Sequence, residues 1–332
     1  MTTGSMRAAI LEHPGAPFRI ALVARPVPEA GQVLVRIAAS AVNPLDVKIH
    51  SGDAAHARQP LPAILGIDLS GVVEAVGQGV TGYRQGDEVY GMTGGVGGLQ
   101  GSLAEFAAID ADLLAPRPTT LSMREAAALP LAFITAWEGL VDRAMVRPGQ
   151  RVLVQGGGGG VGHIAIQIAA ALGARVFATG SERDHAFIER LGAVAINREV
   201  PVAAYVAEHT GGQGFDIVYD TVGGAVLDAS FEAVRRFGHV VSALGWGAHG
   251  LAPLSFRAAS YSGIFTLLPL LTGEGRAHHG EIMREATRLS ERGRIVPKLD
   301  PRRFTLDTVC DAYRAIKAHD NDGKLVIDVA SV

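Results

Sequence analysis

The chain has 332 residues, which is long enough for two domains with buried cores. Hydrophobic residues make up 48% of it and charged residues 19%, a composition typical of a globular α/β protein and unlike that of a disordered chain. The formal net charge of -3 gives no reason to expect nucleic acid or an anionic membrane as a partner.

Two further features of the sequence indicate the cellular compartment of the protein. No apolar run is long enough to span a bilayer, and the longest, around Ile264–Leu271, is interrupted by Pro269. Cys310 is the only cysteine, so an intrachain disulfide cannot form. A chain without disulfides fits a reducing compartment, and we expect a cytoplasmic protein.

The first part of the chain is rich in short β-prone stretches separated by Gly, Pro and Asp. These stretches are 6–11, 18–23, 32–42, 69–76, 87–92 and 102–109. They predict an antiparallel, barrel-like domain. Thr93–Gly101 is glycine-rich and has no helical or strand period, so it is predicted to be a loop.

Near Leu121 the pattern changes to helices that alternate with strands. Ser122 and Glu125 have the spacing of a capping box that opens a helix at Met123–Ala128, and a second helix is predicted at Ile134–Ala144. Strands are then predicted at 151–155, 175–179, 194–196, 215–220 and 238–244, and helices at 161–172, 182–191, 202–209 and 225–235. This alternation is typical of a doubly wound parallel sheet, which binds ligands at the carboxyl ends of its strands.

The last part of the chain resembles the first part more than the middle. Helices are predicted at 281–292 and 307–319, and strands at 295–299 and 324–329. We therefore expect a discontinuous domain, 6–128 with 271–332, into which a nucleotide-binding domain at 129–270 is inserted.

The segment RVLVQGGGGGVG (Arg151–Gly162) carries the most specific motif. Gly157, Gly159 and Gly162 satisfy G-x-G-x-x-G between a predicted strand and a predicted helix. In such a turn the glycines let the backbone approach a pyrophosphate, which the helix N-terminus then binds; Gly160 and Val161 belong to the same turn. A purely structural glycine turn is the alternative.

The end of the second predicted strand indicates which nicotinamide cofactor is bound. NAD sites usually have an acidic residue there, whereas this chain has Ala178-Thr179-Gly180. Ser181 and Arg183 follow and are suited to hold a 2′-phosphate. We therefore expect NADP(H), with Thr179 beside it. In the alternative, Ser181 only caps the next helix and Arg183 is a solvated residue.

A metal centre is not expected from the residue pattern. Zinc sites need Cys, His or carboxylate ligands at tetrahedral spacing, and one cysteine excludes a four-cysteine site. The eleven histidines show no ligand spacing, and the adjacent His278 and His279 are predicted to lie at a solvated helix start.

Several motifs together resemble one known family. They are AVNPLDVKIHSG (Ala41–Gly52), LGIDLSGVVEAVG (Leu65–Gly77), FITAWEGL (Phe133–Leu140), GGGGGVG and DTVGG (Asp220–Gly224). The chain, from about Met6 to Val329, resembles the medium-chain dehydrogenase/reductase superfamily and its zinc-free quinone oxidoreductase-like branch. The resemblance implies a GroES-like β-barrel catalytic domain and a Rossmann domain, with the active site in the cleft between them.

The resemblance also implies a reaction. Zinc members of the superfamily have a cysteine where this chain has Asn43 and a His-Glu pair where it has Ile67-Asp68, so a zinc-bound alkoxide is not expected. Members of the zinc-free branch transfer hydride from NADPH to quinones or to the β-carbon of α,β-unsaturated carbonyls, and these small electrophiles are the expected partners. One alternative is an enoyl-thioester reductase, although no basic cluster is evident for the thioester's phosphates. The other is a non-catalytic NADPH-binding protein.

Candidate catalytic residues follow from the same resemblance. Asn43 is expected to bond the nicotinamide ribose or the substrate carbonyl, or else to be only a turn residue before Pro44. Lys48, where relatives carry tyrosine or lysine, is a candidate proton donor, with a solvated lysine as the alternative. Asp46 is expected to orient its neighbours.

The remaining expected cofactor contacts are implied by the resemblance alone. They are Thr135, Val222, Gly223, Leu244, Gly245, Trp246, Phe265, Leu267 and Lys324. The apolar segment Tyr261–Leu271 is predicted to form a dimer edge or a pocket wall, and a homodimer is the expected assembly.

Overall fold

A computed structural model describes residues 4–330 of the chain. They form two compact units. The terminal unit combines the chain up to Leu131 with the chain from Leu267 onward, and the central unit is Ala132–Thr266.

The strands are β1 (Ser5–Leu11), β2 (Arg19–Ala24), β3 (Gln32–Val42), β4 (Ala63–Ile64), β5 (Asp68–Val76), β6 (Glu88–Met92), β7 (Phe106–Asp110), β8 (Leu114–Pro116), β9 (Arg151–Gln155), β10 (Arg175–Gly180), β11 (Val194–Asn197), β12 (Phe215–Asp220), β13 (Val234–Ser242), β14 (Ser260–Gly263), β15 (Phe304–Thr305) and β16 (Leu325–Asp328). The helices are α1 (Pro44–Ser51), α2 (Met123–Ala127), α3 (Pro130–Trp137), α4 (Gly162–Ala171), α5 (His185–Arg190), α6 (Val202–Thr210), α7 (Ala225–Ala233), α8 (Ala252–Ser255), α9 (Leu268–Thr272), α10 (Arg276–Glu291) and α11 (Val309–Lys317). A π-helical turn, Glu138–Arg143, continues α3.

The terminal unit contains two sheets. One has the order β2-β1-β4, and the other β15-β16-β3-β5-β6-β8, with β7 also paired to β3. All pairs are antiparallel except β15–β16. Strand β3 lies inside the second sheet, and its residues are buried almost throughout because strands pair with it on both sides.

The strand register of this unit brings distant residues to one edge of the sheet. Val42 at the end of β3 pairs with Leu325 at the start of β16, and Ala41 pairs with Asp68 at the start of β5. Asn43, Asp68 and Lys324 are therefore neighbours in space, although they come from three separate parts of the sequence.

The central unit is a six-stranded parallel sheet with the order β11-β10-β9-β12-β13-β14. Strand β9 lies inside the sheet, and Val152, Leu153 and Val154 are fully buried because helices cover both faces. The predicted fold class is confirmed. As expected for such a sheet, Gln155, Gly180, Asp220 and Ser242 end neighbouring strands at the same edge.

The strand predicted at 295–299 is wrong. This segment carries only an isolated bridge between Leu299 and Lys324. Pro297 has no N–H to donate to a ladder, which explains why an apolar, β-prone stretch does not extend the sheet.

Several helix boundaries also differ from the prediction. The helix predicted to continue to Arg235 ends at Ala233, because Val234 already begins β13. Helix α10 begins at Arg276 rather than Glu281, so His279 lies inside it and is buried, not solvated. A hydrophobic period shows where a helix is amphipathic but locates its ends poorly.

No helix within residues 4–330 is long and apolar enough to cross a membrane.

The glycine-rich loop of the terminal unit is held by close backbone contacts. The Gly101 N–H donates to the Ile64 carbonyl at 3.0 Å. A Cβ at Gly101 would overlap the Leu65 carbonyl and lie 2.7 Å from the Ile64 oxygen. Both neighbours are backbone atoms, so they cannot rotate away.

We predict that Gly101→Ala lowers the free energy of unfolding by at least about 2 kcal/mol, because the new methyl group forces the loop off Leu65. Gly82→Ala is the matched control, since nothing lies within 4 Å of a Cβ there. Urea unfolding followed by circular dichroism measures both variants. Equal stabilities for the two would contradict the packing described for this loop.

Candidate functional site

The glycine turn of the central unit joins β9 to α4. A Cβ at Gly162 would overlap the Gly156 carbonyl, so the first helical residue must be glycine for the turn to close. Gly159 and Gly160 are exposed, and the Gly159 N–H bonds the Gly156 oxygen at 3.0 Å. This arrangement agrees with the close backbone approach that the motif predicts.

The backbone donors of this turn are suited to an anion. Among the described residues, the N–H groups of Gly158, Gly160 and Val161 donate no hydrogen bond. They precede the N-terminus of the ten-residue helix α4, whose dipole favours negative charge. These residues therefore fit the diphosphate of a dinucleotide.

Thr179 shapes the turn from the neighbouring strand. Its hydroxyl donates to Gln155 Oε1 at 2.8 Å and accepts from the Gly156 N–H at 3.1 Å. Its carbonyl accepts from the Gly157 N–H at 2.7 Å. Thr179 thus links the ends of β9 and β10. This structural role differs from the cofactor contact that the sequence predicted for Thr179, which stays a prediction.

The residues expected to hold a 2′-phosphate lie in the turn after β10. Ser181 donates its N–H to Asp184 Oδ2 at 3.1 Å and its hydroxyl to the same oxygen. Ser181 is therefore in the capping arrangement that was the alternative interpretation. Arg183 is exposed and makes no hydrogen bond or ion pair with the described residues.

A buried carboxylate organises the loops after β12 and β13. Asp220 Oδ1 accepts from the N–H groups of Val222 and Gly223, each at 3.0 Å. Asp220 Oδ2 accepts from the Ser242 hydroxyl at 2.7 Å, and this hydroxyl accepts from the Leu244 N–H at 3.0 Å. The structure thus brings Val222, Gly223 and Leu244 together through a residue that had no assigned role.

The other expected contacts have varied surroundings. Trp246 is 53% exposed and lies edge-on to Phe265, with ring centroids 6.1 Å apart; Gly245 beside it is exposed. Thr135 is buried, and its hydroxyl lies 3.2 Å from the Thr266 hydroxyl. Leu267 is buried in the terminal unit. Their roles toward a cofactor stay predictions.

The terminal unit holds a buried group of polar side chains, which we call the lysine cluster: Asn43, Asp46, Asp68 and Lys324. Lys324 Nζ donates to Asn43 Oδ1 and lies 3.9 Å from Asp68 Oδ2. Asn43 Nδ2 donates to Asp68 Oδ2 at 3.0 Å, and Asp68 Oδ1 accepts from the Leu131 N–H at 2.9 Å. Asp68 is fully buried and Lys324 is 6% exposed. The attraction between the two opposite charges therefore offsets the cost of removing each of them from water.

Burial governs the protonation of this cluster. It raises the pKa of Asp68 to about 6, although the Lys324 ammonium and the bonds from Asn43 and Leu131 act in the opposite direction. It raises the pKa of Asp46 to about 7, against the bond from the Asn43 N–H. It lowers the pKa of Lys324, and Asp68 and Asp46 partly offset this.

Helix α1 carries two of the candidate catalytic residues. Asp46 Oδ2 accepts from the Asn43 N–H at 2.8 Å, which closes the first turn of the helix. Its buried Oδ1 has no hydrogen-bond partner among residues 4–330. The orienting role expected of Asp46 stays a prediction. Lys48 is exposed on the same helix, and its proposed proton donation stays a prediction.

Sequence reasoning missed Asp68, Asp184 and Asp220 as site residues. Asp68 and Asp220 share a signal that could have been used, because Asp68 begins one buried apolar strand and Asp220 ends another. A buried carboxylate in such a place needs hydrogen-bond donors, and these come from the loops, strands and helices around it. Asp184 has the position of a capping residue and gives no separate signal.

Within residues 4–330, no three His, Cys, Asp or Glu side chains are grouped so that they could hold a metal ion.

We predict that Asp46→Asn changes the pH dependence of stability. A carboxyl whose folded pKa is raised from 3.8 to about 7 stabilises the fold at low pH, and this contribution is lost as the pH rises toward 7. Between pH 5 and pH 8, the unfolding free energy of the variant should therefore gain about 2 kcal/mol relative to the unmodified chain. Urea unfolding at both pH values measures this difference, and any constant cost of the substitution cancels.

The exposed Asp53, just past the end of α1, gives the matched control. Asp53→Asn should leave the difference between the two pH values unchanged. If the unfolding free energies of the Asp46 variant and the unmodified chain changed equally between pH 5 and pH 8, Asp46 would already be ionised at pH 5, contrary to the prediction.

Comparison with known proteins agrees with both units. The description "Alcohol dehydrogenase GroES-like domain" matches residues 29–119, and "Zinc-binding dehydrogenase" matches residues 160–268. A 2-methylene-furan-3-one reductase of Solanum lycopersicum is 36% identical, with 92% of this chain and 74% of the relative covered. A chloroplastic NADPH-dependent alkenal/one oxidoreductase of Arabidopsis thaliana is 33% identical, with 89% and 72% covered.

Solved structures extend the likeness to the whole fold. An alcohol dehydrogenase superfamily protein from Novosphingobium aromaticivorans is 59% identical, with a TM-score of 0.97 and with 98% of this chain and 100% of that chain covered. The quinone oxidoreductase from Coxiella burnetii is 28% identical, with a TM-score of 0.82 and with 98% and 100% covered. On these matches, the chain belongs to the medium-chain dehydrogenase/reductase superfamily, a family of oxidoreductases with a GroES-like unit and a Rossmann-type parallel sheet.

Proposed function

We propose that the chain transfers hydride from NADPH to quinones or to the activated C=C bond of α,β-unsaturated carbonyls, and that it does so without zinc. The observation that carries the zinc-free part is the lysine cluster. Asn43 and Asp68 occupy positions at which the resemblance places zinc ligands in the zinc-dependent members of the superfamily. In this chain Asn43 accepts a hydrogen bond from the Lys324 ammonium, and Asp68 lies 3.9 Å from it. A cation supplied by the chain itself thus satisfies these groups.

The glycine turn supports a dinucleotide as the hydride donor. Its three free N–H groups and the dipole of α4 suit the diphosphate. NADPH, when bound, supplies the hydride. The phosphorylated form is favoured by the unpaired guanidinium of Arg183 after β10 and by the name of the Arabidopsis relative, an NADPH-dependent oxidoreductase.

Reduction of an enone requires one hydride and one proton. The hydride forms a bond to the β-carbon, the C=C electron pair moves toward the carbonyl oxygen, and a proton then adds to the α-carbon. Asn43 and Lys324 are proposed to bind the cofactor ribose or the acceptor oxygen, where a cation or donor stabilises developing negative charge. Lys48, exposed on α1, is proposed to supply the proton.

We further propose a cytoplasmic homodimer. Strand β14 is the edge strand of the central sheet, and Tyr261 on it is 39% exposed. Phe237 and Phe256 in the same unit are 76% and 84% exposed. An edge strand that no other described strand covers, in a unit with exposed aromatic side chains, is suited to a second copy of the chain. The lone cysteine, Cys310, fits a reducing compartment.

The proposed function predicts oxidation of NADPH in the presence of small electrophiles. The acceptors to compare are benzoquinone, phenanthrenequinone, a medium-chain alkenal and crotonyl-CoA, with NADH in parallel reactions and with a chelator present. We expect turnover of the quinones or the alkenal, with a higher kcat/KM for NADPH and no effect of the chelator. Turnover of crotonyl-CoA alone would favour a thioester reductase, and binding of NADPH without any turnover would favour a non-catalytic protein; both results contradict the proposal.

The role proposed for the glycine turn predicts the effect of Gly162→Ala. Because the added methyl group collides with the Gly156 carbonyl, the free N–H groups lose their alignment, and affinity for NADPH should fall by at least about tenfold. Gly250→Ala is the control in the same unit, since no atom lies within 4 Å of a Cβ there. Titration of NADPH fluorescence measures both dissociation constants. Unchanged affinity in the Gly162 variant would place the diphosphate elsewhere.

A further inference from the structure

Asp184, in the turn after β10, has one oxygen that the fold itself does not use. Both bonds from Ser181, from its N–H and from its hydroxyl, end on Asp184 Oδ2. Oδ1 accepts no hydrogen bond from the described residues, and the side chain is only half-buried. The carboxylate is thus fixed in direction by Ser181 and keeps a free acceptor.

The free oxygen lies beside the glycine turn. A Cβ built on Gly158 would be 2.7 Å from Asp184 Oδ1, and one built on Gly180 would be 3.1 Å from Asp184 Cβ. Asp184 therefore lies against both the turn and the carboxyl end of β10. In a doubly wound sheet the adenosine ribose of a dinucleotide binds at this strand end, next to the diphosphate.

We propose that Asp184 is a specificity-determining residue, which accepts hydrogen bonds from the free hydroxyls of the adenosine ribose and opposes a 2′-phosphate. This proposal rests on the proposed function, because it assumes a dinucleotide on the glycine turn. Ser181 cannot serve as a phosphate donor while its N–H and hydroxyl are bound to Asp184. Arg183 attracts a 2′-phosphate and Asp184 repels it, so the chain uses NADH as well as NADPH and prefers NADPH only weakly.

The test uses two ligands that differ only in the 2′-phosphate, AMP and adenosine 2′,5′-bisphosphate, titrated calorimetrically into the full chain. Asp184→Asn keeps the shape and the acceptor for Ser181 but removes the charge. We expect affinity for the bisphosphate to rise by about tenfold at low salt, from the loss of repulsion at close range, and to converge with the unmodified chain at high salt. Affinity for AMP should stay equal or fall, and the kcat/KM ratio of NADPH to NADH should rise in parallel.

Glu182→Gln is the matched control, because it removes one exposed carboxylate from the same turn without touching Ser181. The control should change the ratio of the two affinities by less than about twofold, as expected for a solvated charge. An unchanged ratio in the Asp184 variant, or equal changes in both variants, would overturn the proposal while leaving the proposed reaction intact. Failure of the unmodified chain to bind either nucleotide would instead overturn the proposed function together with this proposal.

Discussion

The buried ammonium of Lys324 is the constraint on which the polar part of the terminal unit depends. A charge that is 6% exposed is tolerated only where other groups compensate it. Asp68 supplies the opposite charge, and Asn43 bonds both partners. This compensation requires β16 to lie beside β3 and β5 to begin on its other side. The register of three strands is thus tied to one ion pair, and loss of the pair would leave a carboxylate or an ammonium unmatched in the interior.

In the central unit, buried or half-buried carboxylates after strands hold loops in place by accepting their hydrogen bonds. Asp220 holds the loops after β12 and β13 through their N–H groups and through Ser242, and Asp184 holds the turn after β10 through Ser181. These contacts fix backbone that would otherwise be free at the edge where parallel sheets bind ligands. Among the described residues, the N–H groups of Gly158, Gly160 and Val161 donate no hydrogen bond, and their place before α4 suits them to a diphosphate.

The sequence predicted the elements that depend on local pattern and missed contacts made across long distances. The strand at Arg151–Gln155, the glycine turn and the helix after it are encoded within about twenty residues, because apolar runs and close-approach glycines have local signatures. Lys324 and Asn43 are 281 positions apart, and no local pattern could show that they would bond. The early end of α7 is also a tertiary effect, since Val234 pairs with Phe215 of the neighbouring strand. The strand predicted at 295–299 is a different case, because Pro297 is a local signal against a strand. Asp184 was missed because a capping residue and a ligand-binding residue look alike in sequence.

The central claim is that hydride reaches a carbon of an activated double bond without a metal. NADPH carrying deuterium at the nicotinamide C4 position tests this directly with an alkenal or an enone in the presence of a chelator, when the product is analysed by NMR. Metal-free hydride transfer to the double bond predicts a saturated carbonyl product with deuterium at the β-carbon and a solvent-derived hydrogen at the α-carbon. Deuterium at the former carbonyl carbon of an allylic alcohol, or transfer only when zinc is added, would contradict it.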